Sequence, residues 1–236
     1  VTSLLAVLRS SLGKKYVMAL TGLFLCSFLA IHLAGNFLLY AGPGPYNDYA
    51  HKLHSNPGLL LAAEIPLYLA IVVHLYLAFA TARNNIDARG PVGYQQKHTK
   101  IYNRILGIQP ESMMFFTGAV VFIFMAIHIY DFKSRDKAVF EPFQWAVMIM
   151  GDMSRKIIYV VGSIFAGVHV SHGFRSAFQS LGLNHPKYNK LLDRTSIVFA
   201  LVVAIGFASF PILMGSASRT PDAETPPAAV EAKPAE

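Results

Sequence analysis

The chain holds a single cysteine, Cys26, among 236 residues. One thiol cannot form an internal disulfide, hold an iron–sulfur cluster or supply a Cys-x-x-Cys-His haem attachment. Cys26 is read as a packing residue, the usual role of a buried free thiol. Charge is scarce too: 14% of residues are Asp, Glu, Lys or Arg, against about 25% in soluble domains. A soluble enzyme is thereby excluded. No Gly-x-Gly-x-x-Gly and no phosphate-binding loop occurs, so no nucleotide site is expected. The single tryptophan, Trp145, reads as an interfacial anchor.

What is abundant is apolar, at 54% of residues, and it is gathered into five long blocks. They run from about Tyr16 to Tyr40, Leu59 to Ala82, Met113 to Tyr130, Ile157 to Phe178 and Ile197 to Met214. Each is long enough to cross a bilayer core of roughly 30 Å as a helix. The breaks between them carry Pro, Gly, Asn and charge, and Gly42-Pro43-Gly44-Pro45 stops the first helix abruptly. The blocks do not alternate with polar residues as barrel strands would. The expected fold is an all-α integral membrane bundle of five transmembrane helices over residues 14–215. Residues 1–13, with leucines at helical spacing, read as an interfacial segment. Residues 216–236, rich in Ala, Pro and acid, read as a disordered tail. The first block is too long, and too well followed by other spans, for a removable signal peptide.

The net charge of +7 raises the question of nucleic acid, but its placement answers otherwise. With the N-terminus cytoplasmic, the inner segments hold 12 of the 20 Lys and Arg residues and three acids, a net of +9, leaving −2 outside. The 12-to-8 bias of basic residues favours that orientation. It reads as membrane topology with a positive cytoplasmic face, and no nucleic-acid partner is expected.

Four of the spans hold His32, His74, His128 and His169, and the fourth also holds His172 one turn on. Ionisable residues at membrane depth are costly and are functional by default. A single one would be equally well explained by a helix–helix hydrogen bond. One in each of the first four spans is harder to explain that way. At about 1.5 Å per residue, His32 lies roughly 27 Å beyond Lys14 and His128 roughly 26 Å beyond Glu111. His74 lies about 14 Å before Arg83, and His169 about 9 Å before Arg175. Depth therefore sorts an outer pair, His32 with His128, from an inner pair, His74 with His169. Two imidazoles facing each other at one level suit a six-coordinate haem iron. Without an attachment motif such haems would be non-covalent, of the b type. A haem-free proton relay or transporter is the competing reading. It would normally show more buried acids or paired broken helices. His172, one turn beyond His169, is the alternative fourth ligand or a haem-surround contact.

Several stretches then resemble the dihaem cytochrome b subunit of succinate:quinone oxidoreductases. They are Lys14-Lys15 with Met18-Ala19-Leu20-Thr21-Gly22-Leu23-Phe24, then His32-Leu33-Ala34-Gly35-Asn36, then Tyr46-Asn47-Asp48-Tyr49-Ala50-His51. To these is added the run from His169-Val170-Ser171-His172-Gly173-Phe174-Arg175 on to Tyr188. The similarity covers roughly residues 10–215. It implies a bacterial inner-membrane anchor that docks a flavoprotein and an iron–sulfur subunit on the cytoplasmic face. It also implies two haem b groups, proximal on His74 and His169 and distal on His32 and His128. Electrons would pass from the iron–sulfur subunit through both haems to a quinone, with menaquinone expected, in a complex that can assemble further.

Lys15, Arg83 and Arg175 stand at suitable inner depth for haem propionates, and Arg155 and Lys156 at suitable outer depth. Ordinary interfacial anchoring explains each of them singly. Glu64, His51, His54 and Asn36 gather at the outer rim and suggest the quinone site; for Glu64 a helix N-terminal acid is the simpler reading. Gly167 stands where some fumarate reductases of this family carry a proton-transferring Glu, which puts that route in doubt. Another membrane oxidoreductase, such as a hydrogenase, would share the haems without the succinate chemistry.

Overall fold

A computed structural model describes residues 6, 10–89, 110–134 and 139–217. Every regular element among them is helical. Five helices are long and apolar enough to cross a membrane. They are α1 (Ser11–Asn36), α3 (Pro57–Arg89), α4 (Pro110–Lys133), α6 (Met153–Ser180) and α7 (Pro186–Ala217). The shortest span, Met113–Lys133, has 21 residues and so reaches about 32 Å. Large apolar side chains face outward along these helices, among them Ile31, Tyr76 and Ile205, each about two-thirds exposed. In water such a belt would be a liability; lipid is its natural solvent. The chain is a multi-pass membrane protein.

Each spanning helix begins earlier than its apolar block, and all but α1 end later. Ser10 caps α1, its hydroxyl accepting from the Gly13 amide at 3.0 Å. Residues 11–13, read as interfacial, are thus the first turn of α1, and most of 1–9 lies outside the described residues. Proline opens α3, α4 and α7, where its missing N–H costs nothing. Of the expected tail, 216–217 complete α7 and the remainder lies outside the described residues.

Two segments read as connections are helical. After α1 the chain tightens into a 3-10 turn, Phe37–Ala41, and Gly42 takes φ 95°. That left-handed conformation suits glycine. It lets Pro43 open α2 (Pro43–His54), so the Gly-Pro run both stops one helix and starts the next. The loop expected from Asp131 to Lys156 contains α5 (Pro142–Gly151). Glu141 and Gln144 form a capping box at its start.

The core of buried residues lies where α5 meets the ends of α1 and α7. Leu33, Leu39, Ala146, Met150 and Phe210 are its members, with Tyr46, Phe132, Phe143 and Phe207 packed against it. This end of the bundle is called the capped end below. Asn47 of α2 accepts the Phe143 amide at 2.9 Å and ties α2 to α5.

In the bundle α6 packs against α7, α4 and α1, while α3 packs chiefly against α1. The four histidine-bearing helices thus form two couples, α1 with α3 and α4 with α6, joined along the α1–α6 seam. Gly167 lies in the α6–α7 contact. A Cβ there would fall 2.6 Å from the Ala204 Cβ and 2.8 Å from the Ala200 carbonyl. That position has no room for a glutamate side chain.

Asp152 caps α6, accepting the Arg155 amide at 2.9 Å and the Ser154 hydroxyl. The Ser154 hydrogen bond, then the Arg155 amide, holds its carboxyl below the usual carboxylate value. A depressed value means the ionised cap stabilises the fold above the ordinary carboxylate range. That contribution fades as pH falls through the lowered value. Asp152→Ala is expected to lower the melting temperature slightly at pH 7. Asp152→Asn should keep most of the cap while removing its acid dependence. Circular dichroism melts in detergent at pH 7 and pH 3 check both.

Candidate functional site

The two couples turn their histidines toward each other. His32 of α1 and His128 of α4 stand with ring centroids 5.8 Å apart and planes at 79°. Aromatic rings wall them in. Phe28 stacks on His32 at 5.3 Å and Phe207 lies at 5.7 Å; Phe132 and Tyr159 lie 5.0 and 5.8 Å from His128. The Nδ1 atom of His128 is buried and has no hydrogen-bond partner. An unsatisfied buried polar atom costs about 1–3 kcal/mol, and no group among the described residues satisfies this one.

His74 of α3 and His169 of α6 share one arrangement. Each ring is held by the neighbouring helix of its own couple. The Thr21 hydroxyl of α1 lies 3.1 Å from His74 Nδ1, and the Thr117 hydroxyl of α4 lies 3.2 Å from His169 Nδ1. The residue after each threonine is glycine. A Cβ on Gly22 would stand 3.3 Å from His74 Cε1, and one on Gly118 would stand 3.1 Å from His169 Cε1. Glycine lets each imidazole lie directly on the backbone of the opposing helix.

Thr21 and Thr117 did not emerge from single-residue reading, since a threonine bonded back to its own helix is ordinary in a span. The signal that finds them is a repeat. Residues 21–32 and 117–128 share Thr-Gly at the start, Phe28 with Phe124, and Ala30-Ile31-His32 with Ala126-Ile127-His128, six of twelve positions. Both stretches run the same way, because one further span separates them. Exchanging α1 with α4 and α3 with α6 maps Thr21–His74 onto Thr117–His169 and maps each histidine pair onto itself. That is the pattern of parallel repeats about an axis along the membrane normal. A ligand between paired imidazoles would lie on that axis.

The other predicted residues are distributed as follows. Arg155 is paired with the buried Asp131 at 3.0 Å, and Arg175 with Asp193 at 2.5 Å. Both guanidinium groups are therefore engaged within the protein. Lys156 lies along Gly215 of α7. Lys15 and Arg83 are exposed at the end opposite the cap and form no ion pair among the described residues. His172 sits beside His169. At the capped end Glu64 takes Lys133 at 2.7 Å, which adds an ion pair to its N-terminal position. His51 meets Glu141 at 2.9 Å, His54 Nδ1 donates to the Ala50 carbonyl, and Asn36 donates to the His32 carbonyl. Among the described residues no hydrogen bond joins any two of these four. Trp145, read as an anchor, donates its indole N–H to the Asp131 carbonyl at 2.8 Å.

Comparison with family models, curated proteins and solved structures finds no match to this chain.

Proposed function

We propose that the chain is a bis-histidine dihaem cytochrome b that carries electrons across a membrane. Within that class, the motifs favour the membrane anchor of a succinate dehydrogenase or fumarate reductase complex, in a bacterial inner membrane. The observation that carries the reading is the pairing itself. His32 and His128 stand ring to ring, and the repeat that exchanges them also exchanges His74 with His169, each held by a threonine of the neighbouring helix.

The residues suit haem b in their chemistry: the four histidines would supply neutral imidazole nitrogens, and glycines give the His74 and His169 rings room. Haem, when bound, supplies a reversible one-electron iron couple.

The chain's own residues do the rest. His74 and His169 hold the inner group, His32 and His128 the outer one, and the aromatic walls exclude water from the outer pair. Lys15 and Arg83 are the basic groups still available to inner propionates. With the N-terminus cytoplasmic, the end opposite the cap receives electrons from an iron–sulfur subunit paired with a flavoprotein. Quinone is reduced at the capped end, near Glu64, His51, His54 and Asn36. Glu64, paired with Lys133, is a group there that could carry a proton.

The test is haem content per chain, from reduced-minus-oxidised spectra of the purified complex with succinate as reductant. Two b haems per chain, reduced by succinate, are expected. One haem or none overturns the ligand assignment and revives a transporter reading. Two haems that only dithionite reduces would keep the dihaem cytochrome and mean either potentials too low for succinate or a different oxidoreductase partner.

A further inference from the structure

We infer that Thr21 and Thr117 are positioning residues that fix the tautomer of the inner histidine pair and thereby aim its ligating nitrogens. The inference rests on the dihaem reading for its consequence, though not for its geometry. Each threonine hydroxyl has one proton, and each gives it to its own helix. Thr21 donates to the Val17 and Met18 carbonyls at 2.9 and 3.0 Å, and Thr117 to the Met114 carbonyl at 3.1 Å. With that proton committed, Oγ1 can only accept from the imidazole nitrogen 3.1 or 3.2 Å away. His74 and His169 therefore carry their protons on Nδ1. Nε2 is left as a bare lone pair on each ring, the atom an iron needs.

An N–H held by an acceptor also makes the imidazole a stronger donor to a metal. The device appears twice because the repeat duplicates it: Thr-Gly stands ten and eleven residues before a histidine in both α1 and α4. Each threonine serves the pair at the other level from the histidine on its own helix. His128, whose Nδ1 has no partner, lacks the arrangement, so the two pairs are built unequally.

Two measurements test this. The first is a redox titration of the intact complex carrying Thr21→Val, Thr117→Val, Thr21→Ser or Thr117→Ser. Valine keeps the volume and removes the acceptor. Each Val variant should raise the potential of one haem only, by up to about tenfold in its reduction equilibrium, or ~59 mV for one electron. That same haem should be lost on dilution roughly 10–100 times more readily. The Ser variants should behave as wild type. Unchanged potentials in the Val variants, or equal shifts of both haems, would overturn the inference.

The second is ¹⁵N NMR of the histidine-labelled full chain without haem, because a bound iron would by itself leave the proton on Nδ1 of every ligating ring. Two rings should be protonated at Nδ1, with N–H protons that move upfield in the Val variants and stay in the Ser variants. Rings protonated at Nε2 would overturn the inference. A chain that binds no haem yet shows the Nδ1 tautomers would sink the function and leave the positioning intact.

Discussion

His74→Ala and His169→Ala should each remove the same haem, leaving one of the two, while His32→Ala and His128→Ala should each remove the other. Succinate-driven quinone reduction should fall to background in all four, because the proposed path runs through both groups. The sharper expectation lies in the doubles. Residues that act as a unit are not additive, so His74→Ala with His169→Ala should lose no more haem than either alone. His74→Ala with His32→Ala should lose both. A depth-blind pairing along the helix couples, His32 with His74 and His128 with His169, predicts the reverse. Haem stoichiometry by spectroscopy on purified variants decides between them, with circular dichroism confirming that each remains helical. His172→Ala should keep both haems. If His172 rather than His169 were the ligand, it alone of the two substitutions would remove the inner group.

The spans were legible because long apolar runs leave a single reading in a chain this poor in charge. Their ends were not, because hydropathy ignores the proline at the first position of α3, α4 and α7 and the Ser10 cap of α1. The helix α5 escaped notice for a related reason. Ten residues are too short to span, and its helicity is fixed by burial of Ala146 and Met150 against α1 and α7, which is tertiary information. The meeting of His32 with His128 was readable from the distance of each residue to the nearest charge on its own helix, a local quantity. The threonine partners of His74 and His169 were not, because those contacts join residues 53 and 52 positions apart. Arg155 was read as available because its acid, Asp131, lies in an interleaved run of both signs, where sequence cannot say which charges meet.

That acid carries the largest expected effect on stability. Asp131 is buried, its side chain 2% exposed, and it joins three helices near the capped end of α4. Its carboxylate accepts from Arg155 at 3.0 Å and from the Tyr159 hydroxyl at 3.1 Å, while its carbonyl accepts from Trp145. Tyr159 in turn lies against Phe124 and His128, so the carboxylate also steadies the wall of the outer histidine pair. Breaking a buried ion pair costs about 3–5 kcal/mol, most of it from the charge left behind. The two partners differ in what they leave. Asp131→Ala leaves Arg155, whose side chain is 31% exposed and can turn to water, so the lower end, ~3 kcal/mol, is expected. Arg155→Ala leaves the enclosed carboxylate with only the tyrosine and should cost more. Asp131→Asn retains an acceptor for Tyr159 and should cost less than Asp131→Ala. The double variant Asp131→Ala with Arg155→Ala should recover part of the loss seen in Arg155→Ala, the signature of coupled residues. Thermal melts of the detergent-solubilised protein give the order. Equal small losses in the single variants, with no recovery in the double, would mean that water reaches the pair and that it contributes no more than a surface ion pair, about 0–1 kcal/mol.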